Sequence, residues 1–263
     1  MSLGKNPRYR RTLNKRQLEI LLVLFEFRFV SVPLVSQYLN KDKSTIYERL
    51  LVLEMQDYVY KSYDRSFRLP GRAATYCLAP AGIRALKAAY PELSQAVLRH
   101  MNQNKLADRA SIDKSLYLFQ LYLDLQRCYP HQFENLTRSY MATYKEFIRP
   151  LPDLYLEHKQ IDKPAYILEI VEARTFSYLL RRRLNTHSDY AIDYAEDWGD
   201  GYPTLLFICG NEHTERRLQR MIWNTVGLDI YTTTQERLMS GHKQVWLYEF
   251  YEDDDEPPVY REL

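Results

Sequence analysis

In the stretch "RPLPDLYLEHKQIDKPAYILEIVEAR", residues 149–174, Asp153 follows a proline and opens one apolar, alternating segment, and Glu169 lies inside a second segment after a turn. If both segments are strands and neighbours, their carboxylates can converge on a magnesium ion that orients water and offsets charge on a phosphate. Such hydrolysis also needs a basic group beside the water. Side chains two apart on a strand share a face, and the residue two after Glu169 is Val171, which has no basic atom. Lys159 stands roughly 20 Å from Asp153 along an extended chain, at about 3.3 Å per residue. From Pro164 to His242 there is no lysine, and the cations are arginines such as Arg174, Arg181, Arg182 and Arg183. A guanidinium stays protonated and is a poor proton acceptor. We therefore expect no catalytic residue here. Asp153 and Glu169 are metal ligands, for Mg2+, only if the chain is a metal-dependent endonuclease; otherwise Asp153 caps a turn and Glu169 pairs with an arginine of the next helix.

Other chemistries fail sooner. A nicking enzyme that joins a tyrosine nucleophile to a histidine-bound metal needs clustered histidines, but His100, His131, His158, His187, His213 and His242 are scattered singly. Tyr190 and Tyr194 are one helical turn apart, a spacing that packing explains in a chain with 23 tyrosines. Neither a phosphate-cradling G-x-x-x-x-G-K-[ST] nor a G-x-G-x-x-G occurs. Cys77, Cys128 and Cys209 are odd in number and widely spaced, which predicts reduced, buried thiols. The run Arg181–Arg182–Arg183 spreads over most of a helix circumference, so at least one arginine must face another element or a ligand. Phosphate contact and a salt bridge to Asp153, Glu169 or Glu172 both remain open.

Charge separates the chain into parts. The formal net charge is +2, yet residues 1–75 carry 14 Lys+Arg against 7 Asp+Glu, or +7, which leaves −5 for the remainder. A basic first quarter suggests a polyanion-binding module. The end, "YEDDDEPPVYREL", is acidic and proline-containing and reads as a disordered tail over 251–263. No run approaches the roughly 18 apolar residues of a membrane span, and the basic N-terminus lacks a signal-peptide core, so we expect a cytoplasmic protein with no membrane partner.

The basic part has its own pattern. "NKRQLEILLVLFEFRFV" places Leu18, Leu21, Leu22 and Phe25 at helical spacing after an Asn14 cap. "SVPLVSQYLN" gives a short second helix with Ser31 as cap and Pro33 in the first turn, and Asn40–Asp42 make a turn. In the third helix Ile46, Leu50 and Leu53 turn inward, leaving Lys43, Ser44, Thr45, Tyr47, Glu48 and Arg49 exposed at its start. Two alternating segments, "YVYKSY" and "ATYCLA", flank a Pro-Gly turn carrying Arg65, Arg68 and Arg72. Three helices and a basic hairpin over about residues 12–90 resemble a winged helix-turn-helix. That resemblance implies double-stranded DNA as partner, with Thr45, Tyr47 and Arg49 at base edges beside Lys43 and Ser44, and Arg65, Arg68 and Arg72 on phosphate or in a minor groove.

From about residue 97 a long helical stretch leads into short strands, "LPDLYLEH", "AYILEIVEA", "YPTLLFIC" and "KQVWLYEF", the later ones separated by helical patterns over 176–197 and 211–223. This predicts an α/β/α layered core. The order, with Arg149, Pro152 and Asp153, then Leu168 and Glu169, then Arg183, Leu184 and Tyr190, resembles the PD-(D/E)XK nuclease-like fold. Joined to a winged helix, it is similar to the replication-relaxation family of plasmid and conjugative-element proteins. The acid that family's pattern places two after the glutamate is Val171 here.

The expected fold class is α+β: a winged helix-turn-helix over 1–95, a degenerate nuclease-like α/β domain over 96–250, and the tail. The resemblance implies a non-catalytic, sequence-specific duplex DNA-binding protein in plasmid or integrative-element replication or mobilisation, partnered by a second copy or by a mobilisation or replication protein. The rivals are the endonuclease and a transcriptional regulator whose second domain dimerises or binds an effector.

Overall fold

The computed structural model describes residues 13–62, 73–160, 163–194, 201–222, 228–249 and 258–263. They form a mixed α+β structure of two compact units, Met1–Leu123 and Asp124–Leu263.

In the first unit, α1 (Lys15–Phe27) starts at Asn14, whose side chain accepts from the Gln17 amide at 2.9 Å while the Gln17 side chain accepts from the Asn14 amide at 3.0 Å. This reciprocal pair satisfies two amides that the first helical turn leaves open. The buried face is Ile20, Leu21, Val23, Leu24, Phe25 and Phe27, so Leu18 and Leu22, expected inside, are only half-buried. A two-residue strand β1 (Val30–Ser31) follows, then α2 (Val32–Leu39), which starts after Ser31 with Pro33 in its first turn but without a side-chain cap bond. Asn40 takes the left-handed conformation, φ 50°, that asparagine tolerates better than most residues. The turn leads into α3 (Lys43–Met55), whose Ile46, Leu50 and Leu53 are buried as predicted. Strands β2 (Val59–Ser62) and β3 (Thr75–Leu78) pair antiparallel, with Val59 opposite Leu78, and β1 pairs the other edge of β3. That order of three helices and an antiparallel strand pair, in a β1-β3-β2 sheet, matches the order of elements expected from the sequence.

Helix α4 (Pro80–Ala89) closes this sheet. Its Gly82 lies against the chain leaving α3, and a Cβ there would sit 2.2 Å from the Tyr58 carbonyl oxygen. Next come α5 (Gln95–Met101), a 3-10 turn at Asn102–Leu106 and α6 (Arg109–Cys128). The first unit runs past the expected end at residue 95 because α5 packs on α4 and the 3-10 turn on β3. Phe119 also stacks on Phe27, centroids 3.9 Å apart. Tyr38 of α2 lies edge-on to both rings and donates its hydroxyl to Glu26 at 3.0 Å. Burial pushes the Glu26 carboxyl up to about 7 although the tyrosine bond opposes it.

The second unit is built on one seven-stranded sheet. Its elements are β4 (Phe133–Thr137), α7 (Arg138–Met141), β5 (Leu154–His158), β6 (Tyr166–Val171), α8 (Ser177–Asp193), β7 (Thr204–Cys209), α9 (Glu212–Ile222), β8 (Ile230–Thr234), α10 (Gln235–Met239), β9 (Trp246–Glu249) and β10 (Val259–Arg261). Spatial order is β10-β9-β8-β7-β6-β5-β4. β4, β5 and β6 form an antiparallel meander, β6-β7 and β7-β8 are parallel, and β8-β9 and β9-β10 are antiparallel. Parallel neighbours need a crossover, and α8 and α9 supply the two. They cover one sheet face: Leu180, Leu184 and Leu218 pack on Ile167, Val171, Leu205, Phe207 and Cys209. All six residues of β7 are buried, as a central strand with parallel neighbours requires.

The expectation of a disordered tail through residue 263 is corrected at its end. β10 pairs with β9, Arg261 lies 3.7 Å from the Tyr248 ring centroid, and Lys243 pairs with Glu262 at 3.0 Å. The acidic run dominates the composition, while the three residues that pair lie beyond it. β4, with the polar sequence FENLT, is likewise a strand the sequence does not announce.

Gly82 sets two effects against each other. Alanine in a helix interior gains roughly 1 kcal/mol over glycine, but here its Cβ would press on backbone. We expect Gly82→Ala to destabilise the protein by about 1–3 kcal/mol, the usual cost of overpacking, measured as a lower urea midpoint; a raised midpoint would show that α4 moves away freely.

Candidate functional site

The first candidate surface is α3. Lys43, Ser44 and Tyr47 are exposed at its first two turns, while Thr45 and Arg49 are half-buried. Neither Lys43 nor Arg49 has an ion-pair partner among the described residues. The helix carries Lys43 and Arg49 against Glu48 and Glu54, so it is neutral overall. Tyr47, 46% exposed, continues into Leu51 and Met55, 37% and 54% exposed, on the same side one and two turns on. The inward pattern of Ile46, Leu50 and Leu53 hides this outward apolar stripe in the sequence. Arg65, Arg68 and Arg72 lie outside the described residues.

The second candidate is the carboxylate pair, and here the geometry is explicit. The β5-β6 register aligns Leu154 with Leu168, and the Asp153 amide donates to the Leu168 carbonyl at 3.0 Å, so Asp153, the residue before β5, lies beside Glu169 of β6. Their partners differ. Asp153, 1% exposed, accepts from the Ile170 amide through Oδ2 at 2.8 Å, and the Arg138 guanidinium stands 2.7 Å from Oδ1. Arg138 also donates to the Pro152 carbonyl at 2.9 Å. Asp153 therefore ties the start of β5 to β6 and α7.

Glu169, 8% exposed, points toward α8. Its Oε1 accepts from Nε of Arg183 at 2.9 Å, from Nη2 of the same arginine, and from Nε2 of His187 at 3.1 Å. His187 is fully buried, and its Nδ1 is 2.8 Å from the Tyr202 hydroxyl. Burial holds the His187 pKa below its ordinary value against the pull of Glu169, so the ring is neutral. A neutral ring has one donor and one acceptor. The charged partner takes the donor, so Nε2–H donates to Glu169 and Nδ1 accepts from Tyr202. Burial acts to raise the Glu169 pKa, but the His187 hydrogen bond and the Arg183 charge outweigh it and hold the carboxyl below its ordinary range.

This arrangement does not fit a divalent ion. Both Asp153 oxygens and one Glu169 oxygen already have protein partners, and among the described residues no group of three or more acids, histidines or cysteines is placed to hold a metal ion. The cation at Glu169 is Arg183. Val171, two residues on, is 3% exposed inside the apolar cluster under α8 and α9, so a lysine put there would be buried among hydrocarbon rather than beside water. Lys159 lies beyond the end of β5 and donates its amide to Gln132 at 2.9 Å. Arg149 reaches the Tyr144 carbonyl at 3.1 Å. Tyr190 and Tyr194 stack at 4.2 Å, and the Tyr190 hydroxyl donates to the Glu146 carbonyl at 2.7 Å, so the tyrosine pair is packing.

Sequence reasoning named Glu169 and an arginine of the next helix but missed His187, Tyr202 and Arg138. The signal for His187 was available: it is four residues after Arg183, the spacing that puts two side chains on one helix face. A second buried charge, Glu215 on α9, was also missed. It receives both terminal nitrogens of Arg237 and the Thr232 hydroxyl at 3.1 Å, with Gln219 donating to that threonine at 2.6 Å. The three cysteines are free and buried as expected, and burial pushes the Cys77 thiol up to about 11 and that of Cys209 to about 12.

No family model matches the chain, and no curated protein matches it. Among solved structures, wild-type Lactococcus lactis ZitR in complex with DNA is 19% identical, over 47% of this chain and 82% of that one, with a TM-score of 0.26. A mutant of ZitR is 21% identical over the same shares, with a TM-score of 0.27. AbfR in a disulfide-formed state is 18% identical over 45% of this chain and 71% of that one, with a TM-score of 0.25.

The Glu169 network gives a signed pH dependence. His187 has a folded pKa below its ordinary 6.5, so the unfolded chain takes up the proton first and stability falls as pH drops below about 6.5. Glu169 adds a second loss as pH falls below about 4.5. Thermal unfolding from pH 8 to 4 should show both, and His187→Gln should remove the upper one. Glu169→Gln leaves Arg183 buried without its counter-charge and should cost about 3–5 kcal/mol; a smaller loss would mean that Arg183 swings out to solvent.

Proposed function

We infer that the protein binds double-stranded DNA without cutting it, through the helix-turn-helix of its first unit. The carrying observation is that α3 follows the turn at Asn40 with Lys43, Ser44 and Tyr47 exposed at its start and no described partner for the Lys43 charge. In helix-turn-helix proteins this end of the second helix meets base edges. A neutral helix cannot supply the attraction, so affinity and readout are divided. Residues 1–12 carry Lys5, Arg8, Arg10 and Arg11 with no acid, and residues 63–72 carry Arg65, Arg68 and Arg72 against Asp64. Those two segments hold +6 of the +7 excess of residues 1–75. They supply the phosphate contacts whose energy comes from counterion release, and α3, with Thr45 and Arg49 at its edges, supplies register and sequence discrimination.

The second unit supports the nuclease-like reading in architecture and opposes it in chemistry. The antiparallel pair β5-β6, the crossover helix α8 and the parallel strand β7 fit the hairpin, helix and strand order of that reading, in which Asp153 and Glu169 are the two acids. The groups a hydrolytic site needs free are used structurally: Asp153 on Ile170 and Arg138, Glu169 on Arg183 and His187. We read this unit as a scaffold for a further contact, in the plasmid or integrative-element setting that the replication-relaxation resemblance implies, with a second copy or a replication or mobilisation protein as partner.

Two experiments test this. Changing Arg65, Arg68 and Arg72 together to alanine should flatten the salt dependence of duplex binding by about two to three units of slope, near 0.9 for each phosphate no longer neutralised; Tyr47→Ala should instead reduce discrimination between sequences with the slope unchanged. Purified protein should leave supercoiled and linear DNA intact in magnesium or manganese. Metal-dependent nicking that disappears in Asp153→Asn would overturn the non-catalytic reading.

A further inference from the structure

The three consecutive arginines of α8 divide. Arg183 turns inward to Glu169, whereas Arg181 and Arg182 are exposed and have no ion-pair or hydrogen-bond partner for their guanidinium groups among the described residues. Beside them stand two large rings that the fold leaves in solvent, Phe176 and Tyr178, 66% and 67% exposed, with Leu179 at 41%. The rings stack on each other at a centroid distance of 6.0 Å and an interplanar angle of 22°. Tyr178, Arg181, Arg182 and Asn185 follow one another at helical spacings of three, four and seven, so they line one side of the helix.

We propose that this outer face of α8, from Phe176 to Asn185, binds single-stranded nucleic acid. The unpaired guanidiniums complement a phosphate backbone, and the exposed rings offer faces on which unpaired bases stack, the combination by which single strands are held without sequence preference. A duplex keeps its bases stacked inside, so it cannot use the rings, and the rings are what distinguish this face from a plain basic surface. Asn185 adds an amide able to reach a base edge or a sugar. Asp189, one turn further and exposed, repels phosphate and sets the far limit of the contact. The face belongs to the second unit and does not depend on the winged-helix reading: duplex would be held by the first unit and a separated strand by the second.

The test uses the full chain and a fluorescein-labelled oligothymidylate of roughly 15 nucleotides, within the site sizes of single-strand binders, beside a duplex of mixed sequence. Wild type should bind the oligomer. Tyr178→Ala should weaken that binding by about tenfold, within the usual range for one base-stacking ring, and Tyr178→Phe should bind as wild type because the ring is kept. Arg181→Ala with Arg182→Ala should flatten the salt dependence of oligomer binding by about 1.4 units of slope, 0.7 for each phosphate. Duplex binding should be unchanged in all three, and the thermal unfolding profile checks their folding. A wild type that ignores the oligomer, or variants that bind it equally well, would overturn the proposal. So would sedimentation showing that Tyr178→Ala separates a dimer while oligomer binding persists, which would assign the face to a second copy of the chain.

Discussion

A carboxylate held under a helix, with hydrocarbon above and below it on its own strand, must be answered by donors and a counter-charge or it will not stay ionised. Glu169 is that group in the second unit. Ile167 and Val171, its neighbours on the same strand face, belong to the apolar cluster beneath α8 and α9, so the strand presents one charge in the middle of a greasy row. Helix α8 answers it with Arg183 and His187 one turn apart, and Leu180 and Leu184 cover the residues on either side. The rotation of α8 about its axis is thereby fixed by a polar contact as well as by packing, because turning the helix would unpair both a carboxylate and a guanidinium. What α8 shows to solvent follows from the same rotation: with Arg183 committed inward, Arg181 and Arg182 are carried outward.

Asp153 illustrates the same constraint on a smaller scale. It stands where an antiparallel ladder begins, and its side chain takes the Ile170 amide while its own amide donates to the Leu168 carbonyl at 3.0 Å. Chemically it is a cap on the ladder, made tighter by Arg138 at the start of α7. Of the two acids that most resemble a hydrolytic site, Asp153 thus pins β5 to β6 and Glu169 pins β6 to α8. In the first unit Glu26 has a related place, holding α1 to α2 through Tyr38 beside the Phe27–Phe119 stack.

Much of this was legible in the residues. The Asn14 cap, the inward stripe of α3, the four apolar strand segments and the α8 and α9 patterns all follow from periodicity, because each buries a regular face. The position of Glu169 opposite an arginine of the next helix followed from strand and helix geometry together. What the sequence hid was of two kinds. β4 and β10 are edge elements whose residues are too polar to announce a strand, and they exist because a neighbouring strand offers them a ladder. His187, Tyr202 and Arg138 are single polar residues whose roles depend on which charge they meet after folding. The boundary between units was masked in another way: α5 and the 3-10 turn have no apolar pattern that says which core they join, and they joined the first.

The Glu169 cluster also constrains how this chain can change over evolutionary time. Arg183 and His187 both donate to Glu169 Oε1, and Tyr202 donates in turn to the other nitrogen of His187. Removing the arginine leaves a buried anion with only a neutral ring beside it; removing the glutamate leaves a buried cation. Replacing Val171 with a lysine puts a second cation into the same low-dielectric space. Each single step toward an open, ion-binding pair is therefore less stable than the present arrangement, and the gain comes only after several steps are made together. A route from this cluster to an ion-binding pair therefore requires substitutions at several of these positions at once.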